Sequence, residues 1–323
     1  MSILHVRCGS DIRSALIEAG LEGDFLEYSD PVCQGPAPSG LPESEFREVR
    51  ARFIAEDYGL SLVEGRRRLE REASGLASAG SHHCIILWFE HDLYDQTVLA
   101  RLLDHFAARP ELHERLRLVC SDGFSGVARF RGLGDLTPAH IAAAGEGAVP
   151  VTARMLDAGR RAWAAFTADA PSSLASLVRE GMPALPLMGP ALCRHLQEFP
   201  WVGTGLSLTE RLILEAFAAG CDTPGRAFAH LQEVEAAPWL GDLMLWPIIA
   251  RLGHGASPAL SPFNGPHEPV RLSRTGEALL AGEGDWIALN GLNRWVGGVH
   301  LEGGQARWRY DPDADSLIGR APD

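Results

Sequence analysis

The 323-residue sequence predicts an α/β fold: a doubly wound, mostly parallel sheet, followed by a mostly helical, winged-helix-like domain with a C-terminal β-hairpin. Three observations predict it. Residues 83–89 read as a continuous apolar run between polar flanks, the pattern of a central parallel strand covered on both faces. Strand-like and helix-length segments alternate through residues 3–121, which implies crossover connections in one sheet. After Thr137-Pro138 the pattern turns helical, with proline at turns and helix starts.

Taken in order, residues 3–8 (ILHVRC) alternate as a strand, and Gly9-Ser10-Asp11 opens a helical stretch with a Ser/Asp N-cap and a stop at Gly20. Residues 25–30 read as a second strand, and the Pro/Gly-rich segment 31–42 as a loop. Two arginine-rich amphipathic helices follow at 43–57 and 61–78, separated at Gly59. The central strand leads into a helix over 92–107, and LRLVCS at 116–121 is the last strand. Helices are expected at 151–168, 172–181 and 190–199, then at 206–219 behind a Ser207-x-x-Glu210 capping box, at 224–232 and at 240–252. Length alone requires more than one core, and the composition shifts divide the chain at 1–136, 137–200 and 201–323.

In a doubly wound sheet, ligands bind beyond the carboxyl ends of the strands. The topology should therefore gather Gly9, Ser10 and Asp11 after the first strand with Asp30 after the second. Glu90, His91, Asp92 and Asp95 after the central strand, and Ser121 and Asp122 after the last, complete the set. The stretches LHVRCGSD, YSDPVCQGP, LWFEHDLYDQ and RWVGGVHL resemble the bacterial family termed domain of unknown function 1835. The resemblance covers about the first 130 residues and implies an α/β fold; it brings no catalytic residue with it.

Glu90, His91 and Asp30 are the candidates for acid/base work. Gly9, Ser10, Asp11, Asp92, Asp95, Ser121 and Asp122 are candidates for holding a ligand. With one histidine among several carboxylates, oxygen-rich coordination of Mg²⁺ or Mn²⁺ suits the set better than a transition metal. The competing structural reading makes Asp92 the N-cap of the helix that follows, with Asp95 at its third position. Of the arginines at 47, 50, 66, 67, 68 and 71, one or two could reach over the sheet edge to clamp a carboxylate or phosphate, while most should pair with nearby glutamates. Ser125 lacks the spacing of a nucleophile elbow.

Composition excludes more than it names. All 29 basic residues are arginine, so Schiff-base and pyridoxal-phosphate chemistry and a P-loop nucleotide site lack their lysine. A single glycine after the first strand falls short of the NAD-binding fingerprint G-x-G-x-x-G. The six cysteines form no C-x-x-C pair and suit buried thiols in a reducing cytoplasm. No membrane-length apolar run is present, and a net charge of −13 argues against nucleic acid as a partner. The helix at 240–252 stands where a winged helix would read DNA. It is apolar nearly all round, carries only Arg251 as a basic residue and contains Pro247, so it should be buried and kinked.

Three functions fit. The first is a small-molecule site at the sheet's carboxyl edge, acting on a polar or phosphorylated metabolite by acid/base or metal-assisted chemistry. The second is a ligand-sensing regulator whose winged helix engages DNA or a partner protein, and the third a non-catalytic scaffold. A homo-oligomer is compatible with each.

Overall fold

β1 (Ile3–Arg7) lies inside the sheet, although its alternating sequence suggests a half-exposed strand. The computed structural model describes residues 2–319. After β1 come α1 (Arg13–Glu18), β2 (Asp24–Glu27), α2 (Glu43–Tyr58), α3 (Leu62–Ala77), β3 (Cys84–Glu90), α4 (Leu93–Ala107), β4 (Leu116–Ser121), α5 (Pro138–Glu146) and β5 (Val149–Pro150). The strands are ordered β2-β1-β3-β4-β5. The first four are parallel, and the two residues of β5 run antiparallel to β4. A doubly wound, mostly parallel sheet is therefore what the chain forms.

Alternating side chains send the two faces of the sheet into different cores. Leu4, Val6, Ile85, Leu87 and Phe89 face α4, while Trp88 and Ile86 face Ile12 and Leu16 near and on α1 and Ile141 of α5. Every residue of Ile85–Glu90 is buried, as expected of a central strand. Because β1 is flanked by β2 and β3, its polar residues His5 and Arg7 are buried too. The Trp88 indole N–H donates to His5 Nδ1 at 3.0 Å, and Arg7 finds carboxylates at the end of the sheet.

α4 is sandwiched. One side meets the sheet and the other meets α6 (Ala153–Phe166) and α8 (Met188–Leu196), with α7 (Ser172–Glu180) between them in the chain. The contact with α6 needs Gly159, where a Cβ would come within 2.3 Å of the Leu103 side chain. A third core is built by α9 (Leu208–Ala218), α10 (Pro224–Val234), α11 (Asp242–Leu252) and α12 (Arg274–Leu280), with Trp286 of α13 (Trp286–Asn290). The capping box at Ser207 and Glu210 forms as expected, with both reciprocal hydrogen bonds present. Between α11 and α12 an antiparallel bridge joins Leu260 and Leu272.

Three local expectations need correction. Ser10 and Asp11 do not cap α1: Ile12 stands at the cap position without a side-chain bond, because Asp11 is drawn to Arg7. β2 stops at Glu27, leaving Tyr28–Asp30 beyond the ladder. The chain's end holds two hairpins rather than one. β6 (Leu292–Val296) pairs with β7 (Val299–Gly303), and β8 (Trp308–Asp311) with β9 (Ser316–Gly319). Val296, Val299, Leu301 and Tyr310 join the α4–α8 core. Among the described residues no helix is long and apolar enough to cross a membrane.

Candidate functional site

The strand order reverses between β1 and β3, since the chain leaves β1 for β2 on one side and returns to β3 on the other. Ligand crevices of open α/β sheets form at such a switch point. Here it is occupied by a charge cluster centred on Arg7, a residue that sequence reasoning passed over. Arg7 Nε donates to Asp11 at 3.1 Å, and Nη2 lies 3.0 Å from both Asp11 and Glu90. Nη1 donates to Asp95 in a short contact. The signal was in the strand itself: a charged residue four positions before Asp11, at the end of a strand bound for the interior.

Asp92 does cap α4, accepting the Asp95 N–H at 3.0 Å. The Asp95 carboxylate, however, turns back under the sheet edge. It accepts from Cys8 Sγ at 2.8 Å and from the Glu90 N–H at 2.8 Å, besides Arg7. Oxygens of Glu90, Asp92 and Asp95 lie within 4.8 Å of one another, and all three residues are buried.

One guanidinium does not balance this set. Burial works against the charge on Arg7, but Asp95, Glu90 and Asp11 outweigh it and hold the group protonated. Burial, and then the proximity of Asp95, push the Glu90 carboxyl up to about 7. Asp92 is raised well above the ordinary carboxylate range by burial and by Asp95 and Glu90. Desolvation and like charge both favour a neutral form, so near pH 7 the cluster holds a proton in place of a second cation.

The segment after β4 closes over these groups. The Leu133 N–H donates to Glu90 in a short contact, and Gly132 and Gly134 lie directly on the carboxylates. A Cβ at Gly132 would sit 2.5 Å from Glu90 Oε1, and one at Gly134 2.9 Å from Asp11 Oδ2. Only hydrogen fits at either position. Gln96 holds the other side, its Nε2 donating to the Glu90 carbonyl at 2.5 Å. Gln96 and Leu133 also form part of the wall of a cavity of about 480 Å³, with Ser121 at its edge and Leu118, Phe124 and Met155 inside.

The remaining candidates go elsewhere. Asp30 shares no hydrogen-bonding partner with Glu90. It is bound by the fully buried Arg50 at 2.9 Å, whose other donors hold the carbonyls of Pro31, Gln34 and Pro36. Arg50 thus reaches the sheet edge, but the carboxylate it holds there is the protein's own Asp30 and not a ligand's. Arg68 likewise reaches Ser29. Asp30 lines a polar cleft of about 660 Å³ with Tyr28, Glu72 and Arg101, in which burial and then Asp30 push Glu72 up to about 8. His91 lies beside Phe130, 5.9 Å between rings, and its Nδ1 has no partner among the described residues. Asp122 is exposed, the Ser121 hydroxyl donates to the Gly123 carbonyl, and Gly9 and Ser10 form the turn that leads to α1.

No family model matches the chain, and no curated protein does. What this edge of the sheet does has to be read from its own chemistry.

Proposed function

We propose that the protein binds and processes a small metabolite beyond the carboxyl ends of β1, β3 and β4, by chemistry in which the Arg7 cluster takes up positive charge. At neutral pH that charge is a proton exchanged by Glu90. A divalent cation such as Mg²⁺ or Mn²⁺, held by Glu90, Asp92 and Asp95, would replace it and bind a phosphate or other anionic end of the substrate. The observation that carries this reading is the imbalance: Asp11, Glu90 and Asp95 converge on one arginine at the switch point, and Asp92 lies against Glu90 and Asp95. A proton donor titrating near 7 suits general acid/base work. The neighbouring cavity of about 480 Å³ gives room for an apolar body with its polar end at Ser121.

All six cysteines are free, which suits the reducing cytoplasm expected from their spacing. The regulator reading gains less support. Met244, Leu245, Ile248, Ile249 and Leu252 of α11 are buried, and Arg251 pairs with Asp57 of α2 at 3.1 Å. A helix so engaged has little left to offer a major groove.

Calorimetry and thermal melts with Mg²⁺ and Mn²⁺ test the proposal. Binding and stabilisation are expected at pH 8, weaker at pH 6 where the cation competes with the proton, and abolished in Asp92→Asn. Absence of binding heat and of any melting shift at both pH values, together with a Glu90→Gln protein as pH-dependent as wild type, would remove both forms of the chemistry.

A further inference from the structure

A third cavity, of about 450 Å³, opens where the α4–α8 core meets the α9–α12 core. α2 and the loop after β2 form one wall, and α11, Trp239 and β6 form the other. It shares no residue with the Arg7 cluster. Its walls hold an unusual concentration of unpaired polar atoms. Trp239 Nε1, Arg294 Nε and both ring nitrogens of His195 are buried without a hydrogen-bond partner among the described residues. His195 is 1% exposed and Trp239 4%. Burial of an unsatisfied polar group is costly, and native proteins leave few of them. Three in the walls of one cavity point to an occupant.

Charge and shape restrict what that occupant is. The buried and half-buried charged groups around the cavity are matched: Arg294 with Glu210 at 2.8 Å, Asp57 with Arg251 at 3.1 Å, and Glu198 with Arg194 at 2.6 Å, while Arg52 and Glu56 stand exposed at its mouth. An ionic ligand would leave its charge without a counter-charge there. An indole and a guanidinium Nε–H can only donate, and a neutral imidazole adds one donor and one acceptor. Burial pushes His195 down to about 4, so that ring is neutral at physiological pH. The ligand must therefore bring mainly acceptors. Phe53, Trp239 and Trp295 supply aromatic surface, which suits a flat body.

We infer that this cavity is a binding site for an uncharged, planar heteroaromatic compound rich in carbonyl or ring-nitrogen acceptors, of the nucleobase or aromatic-amide class. Bound there, the ligand would touch both cores, with Trp239 and Arg294 donating to its edge. This assignment is independent of the chemistry proposed for the Arg7 cluster.

Calorimetry on the full chain with uridine, guanosine and nicotinamide as neutral probes, and uridine monophosphate as an anionic counterpart, provides the test. At least one neutral probe is expected to bind saturably. Trp239→Phe, which keeps an aromatic face but removes the N–H and part of the ring, should weaken it roughly tenfold or more, the loss of one hydrogen bond and some ring contact. Val49→Trp, which fills the cavity from α2, should abolish binding while the protein still folds. The inference fails if no neutral probe saturates at millimolar concentration or if only the monophosphate binds. It fails equally if Trp239→Phe binds as wild type.

Discussion

Arg7 and Arg50 are both buried at the carboxyl edge of the sheet, yet they are matched in opposite ways. Arg50 meets one carboxylate, Asp30, and spends its remaining donors on the carbonyls of Pro31, Gln34 and Pro36. That arrangement fixes the loop between β2 and α2 and carries no surplus charge of its own. Arg7 gives every contact to a carboxylate: Asp11, Glu90 and Asp95, with Asp92 close behind. The first is how a structural arginine is satisfied. The second leaves negative charge that folding alone does not require, and such charge at a switch point marks the place where a proton or cation is handled.

Removing each arginine should give the largest effects and separate the two. Arg50→Met strands Asp30 and should cost about 3–5 kcal/mol, as breaking a buried ion pair does. Mg²⁺ should recover none of its deficit. Arg7→Met should cost a similar amount at pH 8, but much of it should return at pH 6 or with Mg²⁺, because protonation or a cation replaces the lost charge. Urea unfolding at the two pH values, with and without Mg²⁺, measures both, and equal Mg²⁺ responses would erase the distinction.

Glu90→Gln sharpens it from the other side. With Glu90 raised to about 7 from an ordinary 4.5, the folded state binds more protons than the unfolded one between those values. Stability from this group is therefore greatest below pH 4.5 and falls until the pH passes 7. The cost above pH 7 is about 3 kcal/mol. Glu90→Gln should be more stable than wild type by up to that amount at pH 8 and lose the advantage near pH 5. A variant less stable than wild type at pH 8 would make Glu90 a structural partner like Asp30.

Gly132→Ala should have the smallest effect, about 1–3 kcal/mol from overpacking. The new methyl meets Glu90 at 2.5 Å and must lift the covering segment. Gly123→Ala, with nothing within 4 Å of its Cβ, is the control and should melt as wild type. Exposing Glu90 in this way should also bring its titration down toward the ordinary range, which NMR of the carboxyl would show.

Much of the fold was legible. The apolar run into β3, the capping box at Ser207 and the glycine at the end of α2 each declare themselves through local physics. The site was half legible, because topology brings strand ends together but does not say which charges neutralise which. Arg7 was missed because alternation in residues 3–8 reads as one wet face, whereas the inner position of β1 makes both faces dry. Asp30 was grouped with Glu90 because both follow strands, and only the three-dimensional path of α2 reveals that Arg50 claims it. The cavity beside Trp239 was beyond reach for the same reason. Its walls come from residues 33–57, 195–251 and 293–296, and no local pattern announces that they meet.

The contact between Glu90 and the Leu133 amide makes the covering segment a reporter as well as a cover. An amide proton donated to a carboxyl group moves downfield when that group ionises, and one donated to a carboxylate resists exchange with solvent. The resonance of this single backbone proton should therefore trace the charge state of the switch point as pH is varied. It would register the arrival of a cation or substrate before either is known by name.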